Sequence, residues 1–494
     1  MRRYAALDLA RLLPFLWHIF LVEDFKKIAL PVSLQVVITM RTGKQSDMFR
    51  MPKAAEPLIS GFSVAFTRPT FNRFVVLMLG AIVSLRYRTV TGMLRAIGPL
   101  AVGHWSDFHR VLCRRVWSMQ PLAKVLARLI VDLIPPHQPV VCAVDDTNPQ
   151  HKGKRVYGKG RHHDACRSTH SHTVWVWGHK WVVLAIQVQF PFAPRPWALP
   201  VLCALYRPEE LNASEGRRHK TLIDLARQLM AVLIHWFPDR PFILVGDGGY
   251  ASHDLARFCH RHRQHVTLIS RFNPQAHLCA APPVQRSSVG RPRCRGRKLA
   301  TPKAVVAKAR RRRYTVNWYG GRTRRVELVD GVGHWYRSGQ GLVPLKWIFV
   351  HDVEGTHRDE YFYCTDSTLR PDQIVSLFTT RWGIEVTFQE VRTHLGFHTP
   401  RNWSAKSVLR TAPCLLGLFS VVCLMFERWT RQSRPVIKSN PWYQKKEITF
   451  SDAITAVRRL CWQEIFKHPP FATGVDKLPR LFRFTLLDYL SRAI

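Results

Sequence analysis

Acidic residues are scarce in this chain: 33 Asp and Glu stand against 74 Lys and Arg, a formal charge of +41 over 494 residues. That imbalance argues against a cationic ligand spread over the surface and favours a polyanionic partner, because each cation placed on a phosphate releases condensed counterions. Nucleic acid is the first candidate and an anionic membrane surface the second. Paired cysteines are also missing. The 11 cysteines are scattered, odd in number and never spaced C-x-x-C, which excludes a disulfide scaffold or cysteine-based zinc ribbon and points to reduced thiols in a cytosolic compartment. Long apolar runs are absent too. The longest, PCLLGLFSVVCLMF at 413–426, has 14 residues, too few to span a bilayer and typical of a buried helix. The opening MRRYAALDLARLLPFLWHIFLVEDF starts like a signal peptide, but Asp8 and Arg11 break its apolar middle and no small-x-small cleavage site follows. An amphipathic helix is expected there. No repeat of solenoid length is present.

What is present changes character along the chain. Residues 57–134 carry apolar positions at three- and four-residue spacing, which predicts helices, and PPHQP at 135–139 reads as a linker. Strand signals follow: VVCAVDD (140–146), a hairpin of HTVWVWG (172–178) and KWVVLAIQVQF (180–190) turning at Gly178 and His179, and ALPVLCALY (198–206). A helix is expected over about 215–236, then the strand FILVGD, a helix capped by Ser252, and the strand VTLIS. This alternation builds a mixed sheet flanked by helices. Residues 286–325 then hold 15 Lys or Arg and no Asp or Glu. β-type segments follow with Trp318, Trp335 and Trp347 among them, a combination suited to tracking a phosphate backbone and stacking on bases. The strand EYFYCTD, a long helix from about Pro371 to Leu395, the apolar helix at 406–428 and a last helix capped by Ser451 complete the reading.

Two of the strands end in carboxylates, at Asp145–Asp146 and at Asp247 within Gly246-Asp247-Gly248-Gly249. Glycines next to Asp247 allow a ligand to come close to the main chain. On the helix 377–392, Phe378, Arg381, Glu385 and Arg392 fall within an arc of about 60° of a helical wheel. Each feature alone has a plain reading, an Asx turn or an i, i+4 surface pair. Their conjunction in so basic a chain points instead to one acidic site.

Together, DDTNPQHKGK (145–154), GDGGYAS (246–252) and Phe378-x2-Arg381-x3-Glu385-x6-Arg392 resemble the three signatures of DDE transposases from bacterial insertion sequences. The similar subgroup has a ribonuclease H-like core interrupted by a β-rich insertion and a Tyr-Arg-Glu-Lys helix signature, from which this chain departs at Phe378 and Arg392. The resemblance implies an α/β fold: an N-terminal helical DNA-binding region (1–138), a ribonuclease H-like core (139–275 and 360–430), a basic β-rich insertion (276–359) and a C-terminal helical region (431–494). It implies that Asp146, Asp247 and Glu385 are catalytic and hold two Mg²⁺ or Mn²⁺ ions. Asp146 is taken over Asp145 because the family motif carries its ligand directly before Thr. Arg381, Arg392, Lys152, Lys154 and Arg155 would contact DNA phosphates. The implied partners are double-stranded DNA, as terminal inverted repeats and target, and a second copy of the chain; no membrane is expected, and the location is cytoplasmic, at the bacterial nucleoid.

Hard cations take oxygen ligands, so this acid set suits them. The cluster RHHDACRSTHSH offers His162, His163, Cys166, His170 and His172, but its spacing matches none of the common zinc patterns. Two other readings stay open: a structure-selective nuclease or resolvase on the same fold, and a catalytically silent DNA-binding descendant.

Overall fold

The computed structural model describes residues 55–492 apart from 165–166, 284–292, 435–441, 443 and 476. The helix expected near the N-terminus therefore lies outside the described residues. After a short helix Glu56–Ser60 come α1 (Arg68–Val83), α2 (Val90–Ile97), α3 (Trp105–Cys113) and α4 (Met119–Val131). Local chemistry sets their starts: Thr89 Oγ1 accepts from the Gly92 amide and Ser118 Oγ from that of Gln120, each satisfying a donor that helix geometry leaves open. Helix α3, with its Asp107 tied to Arg73 and Arg110, falls within the 57–134 stretch expected to be helical.

The chain then enters a ten-stranded sheet. Strands β1 (Val140–Thr147), β2 (Gly160–His163), β3 (Trp175–Gly178), β4 (Lys180–Val188) and β5 (Trp197–Tyr206) precede α5 (Leu222–Trp236), β6 (Phe242–Gly246), α6 (His253–Arg261) and β7 (Val266–Arg271). The expected start of α5 is early by several residues, because Thr221 and Asp224 form a capping box that fixes Leu222 as its first residue. Ser252 caps α6 as expected. Then come β8 (Leu278–Cys279), β9 (Arg312–Asn317), β10 (Thr323–Arg337), β11 (Gly341–Asp352) and β12 (Glu360–Cys364). The path through the sheet is β5-β4-β1-β6-β7-β12-β11-β10-β8, with β9 on β10. Strand β1 is antiparallel to β4 and parallel to β6, and β6 is parallel to β7. The order β5-β4-β1-β6-β7 is that of a ribonuclease H-like core, and the strands of 312–364 extend the same sheet beyond β7.

Two strand readings are corrected. β3 and β4 do not form a hairpin: β3 pairs with β2 in a separate two-stranded sheet, while β4 lies between β1 and β5. The Gly178-His179 turn signal joins strands of different sheets. The tryptophans expected to face DNA are core residues instead. Trp318 and Trp347 are buried, and Trp335 packs edge-on against His253, Phe272 and Tyr363.

Helices α7 (Pro371–Thr380) and α8 (Trp382–Leu395) follow one path interrupted at Arg381. Helix α9 (Ala405–Thr430) is long and apolar enough to cross a membrane by length and composition, yet 72% of its most apolar window is buried inside the protein. Arg410 on α9 donates to the carbonyls of Val111, Leu112 and Trp117 and so ties α9 to the N-terminal helices. Helix α10 (Phe450–Phe466) is capped by Thr449 with Asp452, two residues before the expected Ser451, and α11 (Arg480–Ser491) closes the described fold. One face of β6 and β7, with Ile243, Val245 and Ile269, packs under Ile374, Val375 and Phe378 of α7. Each such apolar side chain contributes roughly 1.5–3 kcal/mol on burial, which fixes α7 over the sheet and delivers Arg381 to its margin.

Candidate active site

Strand parity decides which carboxylates meet. The last register pair of β1 and β6 is Val144 with Gly246; one step further stand Asp145 and Asp247. Side chains alternate along a strand, so both share the face of Ile243 and Val245, the face α7 covers. Asp146 projects to the other side. It pairs with Lys180 Nζ at 3.3 Å and accepts from the Tyr250 hydroxyl at 3.4 Å. The structure thus sets Asp145, not Asp146, beside Asp247 and under the α7–α8 junction.

Arg381 occupies that junction. Its amide donates to Phe378 O at 3.1 Å and its carbonyl accepts from the Ile384 amide at 2.9 Å, three-residue bonds that tighten the helical turn locally. The side chain is buried and bridges two carboxylates: Nη1 lies 3.2 Å from Asp145 Oδ2 and Nη2 lies 2.8 Å from Glu385 Oε1. Burial pushes the Asp145 carboxyl up to about 7; Asp247 adds to the rise and Arg381 opposes it. Although burial works against the Arg381 charge, Asp145 and Glu385 raise its pKa above the ordinary guanidinium value. Burial likewise lifts the Tyr250 phenol well above its usual range, with the three nearby Asp side chains adding to it.

Each remaining residue of the expected set has a place. Glu385 is half exposed at the first turn of α8. Arg392, two turns on, is exposed and donates from Nε to Phe388 O at 3.0 Å. Phe378 is fully buried against Phe362, with the guanidiniums of Arg271 and Arg381 at 6.0 and 5.8 Å from its ring centroid, so the helix face drawn on a wheel runs from core to solvent. Lys152, Lys154 and Arg155 are exposed on the segment after β1. The glycines divide their work. A Cβ at Gly246 would stand 2.8 Å from Tyr250 Cβ, so this glycine serves packing. Gly248 and Gly249 are exposed and leave Asp247 open to solvent, while the Gly249 amide donates to Asp247 Oδ1 at 2.9 Å.

Of the histidine cluster, His162 is buried and its pKa falls to about 4, by burial first and then by Lys180. His163 packs edge-on against Trp175; Cys166 lies outside the described residues. Among the described residues no three acids, imidazoles or thiols stand together so as to hold a metal ion. The donor chemistry nevertheless fits a hard cation: two neighbouring carboxylates share one sheet margin, a third is reached through a single guanidinium, and a positive charge already stands among them. An apolar cavity of about 390 Å³ lined by residues of α1, α4, β5 and α9 contains none of these acids.

A parallel strand pair ending in two aspartates, within a ribonuclease H-like sheet and under a helix that carries a glutamate, defines an acid-lined site of the phosphodiester-cutting kind. The family model described as DDE superfamily endonuclease matches residues 61–325, more than half of the chain, and the chain belongs to that family. The matched span contains Asp145, Asp146 and Asp247; Glu385 lies beyond it. Among solved structures, the chain is similar to the piggyBac transposase in its synaptic complex with hairpin DNA. The identity is 11%, over 88% of this chain and 80% of that chain, with a TM-score of 0.39. No curated protein matches the chain.

Proposed function

We propose that this DDE endonuclease is a DNA transposase that binds the terminal inverted repeats of its own element, cuts the strands by hydrolysis and joins the freed 3′ hydroxyl to target DNA. The observation that carries the reading is the Arg381 bridge between Asp145 and Glu385, with Asp247 beside Asp145 at the end of the neighbouring strand. These three carboxylates, with Asp145 in the place first given to Asp146, would hold two Mg²⁺ or Mn²⁺ ions. Such ions supply an activated water and stabilise the leaving oxygen of an in-line displacement. The protein's own groups do the rest. Arg381 neutralises Asp145 and Glu385 in the resting site, and its exchange toward a phosphate frees both acids. Arg392 offers a charge-assisted donor on the same helix, and Lys152, Lys154 and Arg155 lie exposed after β1 to follow the backbone. Gly248 and Gly249 leave a bulky phosphate unobstructed at Asp247. The expected assembly is a homodimer pairing two DNA ends, at the nucleoid of a bacterial cell, with residues 1–138 and 276–359 contributing DNA contacts outside the core.

The test is Mg²⁺-dependent cleavage and strand transfer on duplex DNA carrying the repeats that flank the gene. Asp247→Ala and Glu385→Ala are expected to abolish both reactions; variants that cut as well as the parent overturn the site. A product pattern of cutting without joining assigns the chain to nucleases or resolvases. The bridging of two acids by Arg381 also favours a second reading, a silent DNA-binding descendant, which predicts salt-sensitive binding and no cutting at any Mg²⁺ concentration.

A further inference from the structure

The two-stranded sheet of β2 and β3 forms an arm apart from the main sheet, and it exposes what a folded chain ordinarily hides. Its register sets Arg161 opposite Trp177 and His163 opposite Trp175. Alternation buries His162 and Val176 and turns Arg161, His163, Trp175 and Trp177 outward. Trp175 is 48% exposed and Trp177 59%. Two indoles at adjacent outward positions of one strand stand roughly 6.6 Å apart along it. The Arg161 guanidinium lies 4.6 Å from the ring centroid of Trp175, and Lys159 Nζ lies 5.5 Å from that of Trp177.

The arm is rooted at the acidic margin. Gln150 bridges to Gly178, the His151 amide donates to Trp177 O at 3.1 Å, and Asn148 Nδ2 to His163 O at 3.5 Å. All three partners follow Asp146 within five residues. Between 148 and 179 the sequence has six Lys or Arg and one acid, Asp164, which is paired with Arg167 at 2.7 Å. Neighbouring exposed aromatics within a cationic stretch match unpaired nucleotides, whose bases offer stackable faces whatever their sequence and whose phosphates meet the cations. Base-paired DNA hides those faces.

We infer that the β2–β3 arm is a stacking platform for unpaired DNA nucleotides next to the scissile phosphate, with Trp175 and Trp177 receiving the bases and Lys159 and Arg161 the backbone. This deepens the transposase reading and rests on it for its position, but its test is separate from cutting. The full chain in EDTA is titrated into a fluorescein-labelled 12-nucleotide single strand, and separately into the matching duplex, with anisotropy as readout. A second single strand carries 2-aminopurine, whose fluorescence is quenched on stacking. Trp175→Ala/Trp177→Ala is expected to weaken single-strand binding at least ~10-fold, the scale of one stacked base. It should also abolish the 2-aminopurine quenching while changing duplex affinity less than ~3-fold. Trp175→Phe/Trp177→Phe keeps an aromatic face and is expected to restore most of the binding and the quenching. Equal losses on single strand and duplex, or unchanged single-strand binding, overturn the inference. So does tryptophan-dependent pelleting with phosphatidylserine vesicles in place of DNA binding, which assigns the arm to a lipid surface. If the alanine pair fails on single strands while the parent never cuts with Mg²⁺, the arm stands and the transposase reading falls. If the parent cuts and the alanine pair binds single strands normally, only the arm falls.

Discussion

A carboxylate buried beside another carboxylate is stable only with a cation at hand, and Asp145 is in that position. At pH 8, above its raised value, its ionised form opposes folding even with Arg381 beside it, and a bound ion would offset that. Asp145→Asn is therefore expected to raise the thermal midpoint of the metal-free protein at pH 8 while lowering Mg²⁺-dependent cleavage at least ~10³-fold. Asp146→Asn, which leaves Asp145 and Asp247 in place, should cut within ~10-fold of the parent; parallel cleavage assays compare the two directly. The glycines before and after Asp247 separate as sharply. Gly246→Ala drives a methyl into Tyr250 and should cost about 1–3 kcal/mol in denaturant titrations. Gly248→Ala has only the Arg271 side chain within reach, at 3.8 Å, and should stay within ~0.5 kcal/mol. The choice between Asp145 and Asp146 could not be read from the sequence for a physical reason. Val140, Cys142, Ala143 and Val144 are all buried, because both faces of β1 are covered, so the run lacks the polar alternation that reveals parity.

Among the elements, the end of β11 carries a second buried acid with the opposite electrostatics. Asp352 is nearly inaccessible and accepts from Arg324 Nε at 2.8 Å and from the amides of Glu354, Thr356 and His357. Burial works against its charge, but these bonds hold its pKa down to about 2, below the ordinary 3.8. A depressed acid stabilises the fold above the unfolded pKa and loses that contribution as pH falls through the folded value. Asp352→Asn should therefore destabilise the protein by about 3 kcal/mol at pH 7, with the difference from the parent shrinking between about pH 4 and pH 2; urea midpoints across that range measure it. Apolar strands such as β6 and β7 were legible because a buried strand reads as a short apolar run. The arm was not. Its strands are four residues each, and Trp175 and Trp177 look like core residues until their neighbours are known. The basic segment and the strands after it misled the other way, since Trp335 on β10 and Trp347 on β11 lie within the extended sheet and Trp318 is buried just after β9.

For the molecule as a whole, the charge of +41 predicts that phosphate contacts, more than any single residue, set the proposed affinity for DNA. Binding to end-bearing duplex is expected to weaken ~10³-fold or more between 50 and 200 mM salt if six or more phosphates are engaged. A nearly flat salt response in a filter-binding series excludes that mode of association. The DDE family could be read from three short motifs. The joining of the β-rich segment to the main sheet could not, because strand pairing across long intervals depends on packing that local patterns do not encode.

Asp145 and Arg381 meet across 236 positions of chain. A ribosome makes both aspartates long before the helix that supplies the arginine and the glutamate, and domains tend to fold as they emerge. A nascent or prematurely terminated product therefore holds an unfinished acid pair with no partner residues over it. In the proposed enzyme, competence to cut would therefore arise only once Arg381 and Glu385 have been made and the α7–α8 junction has closed over the sheet margin.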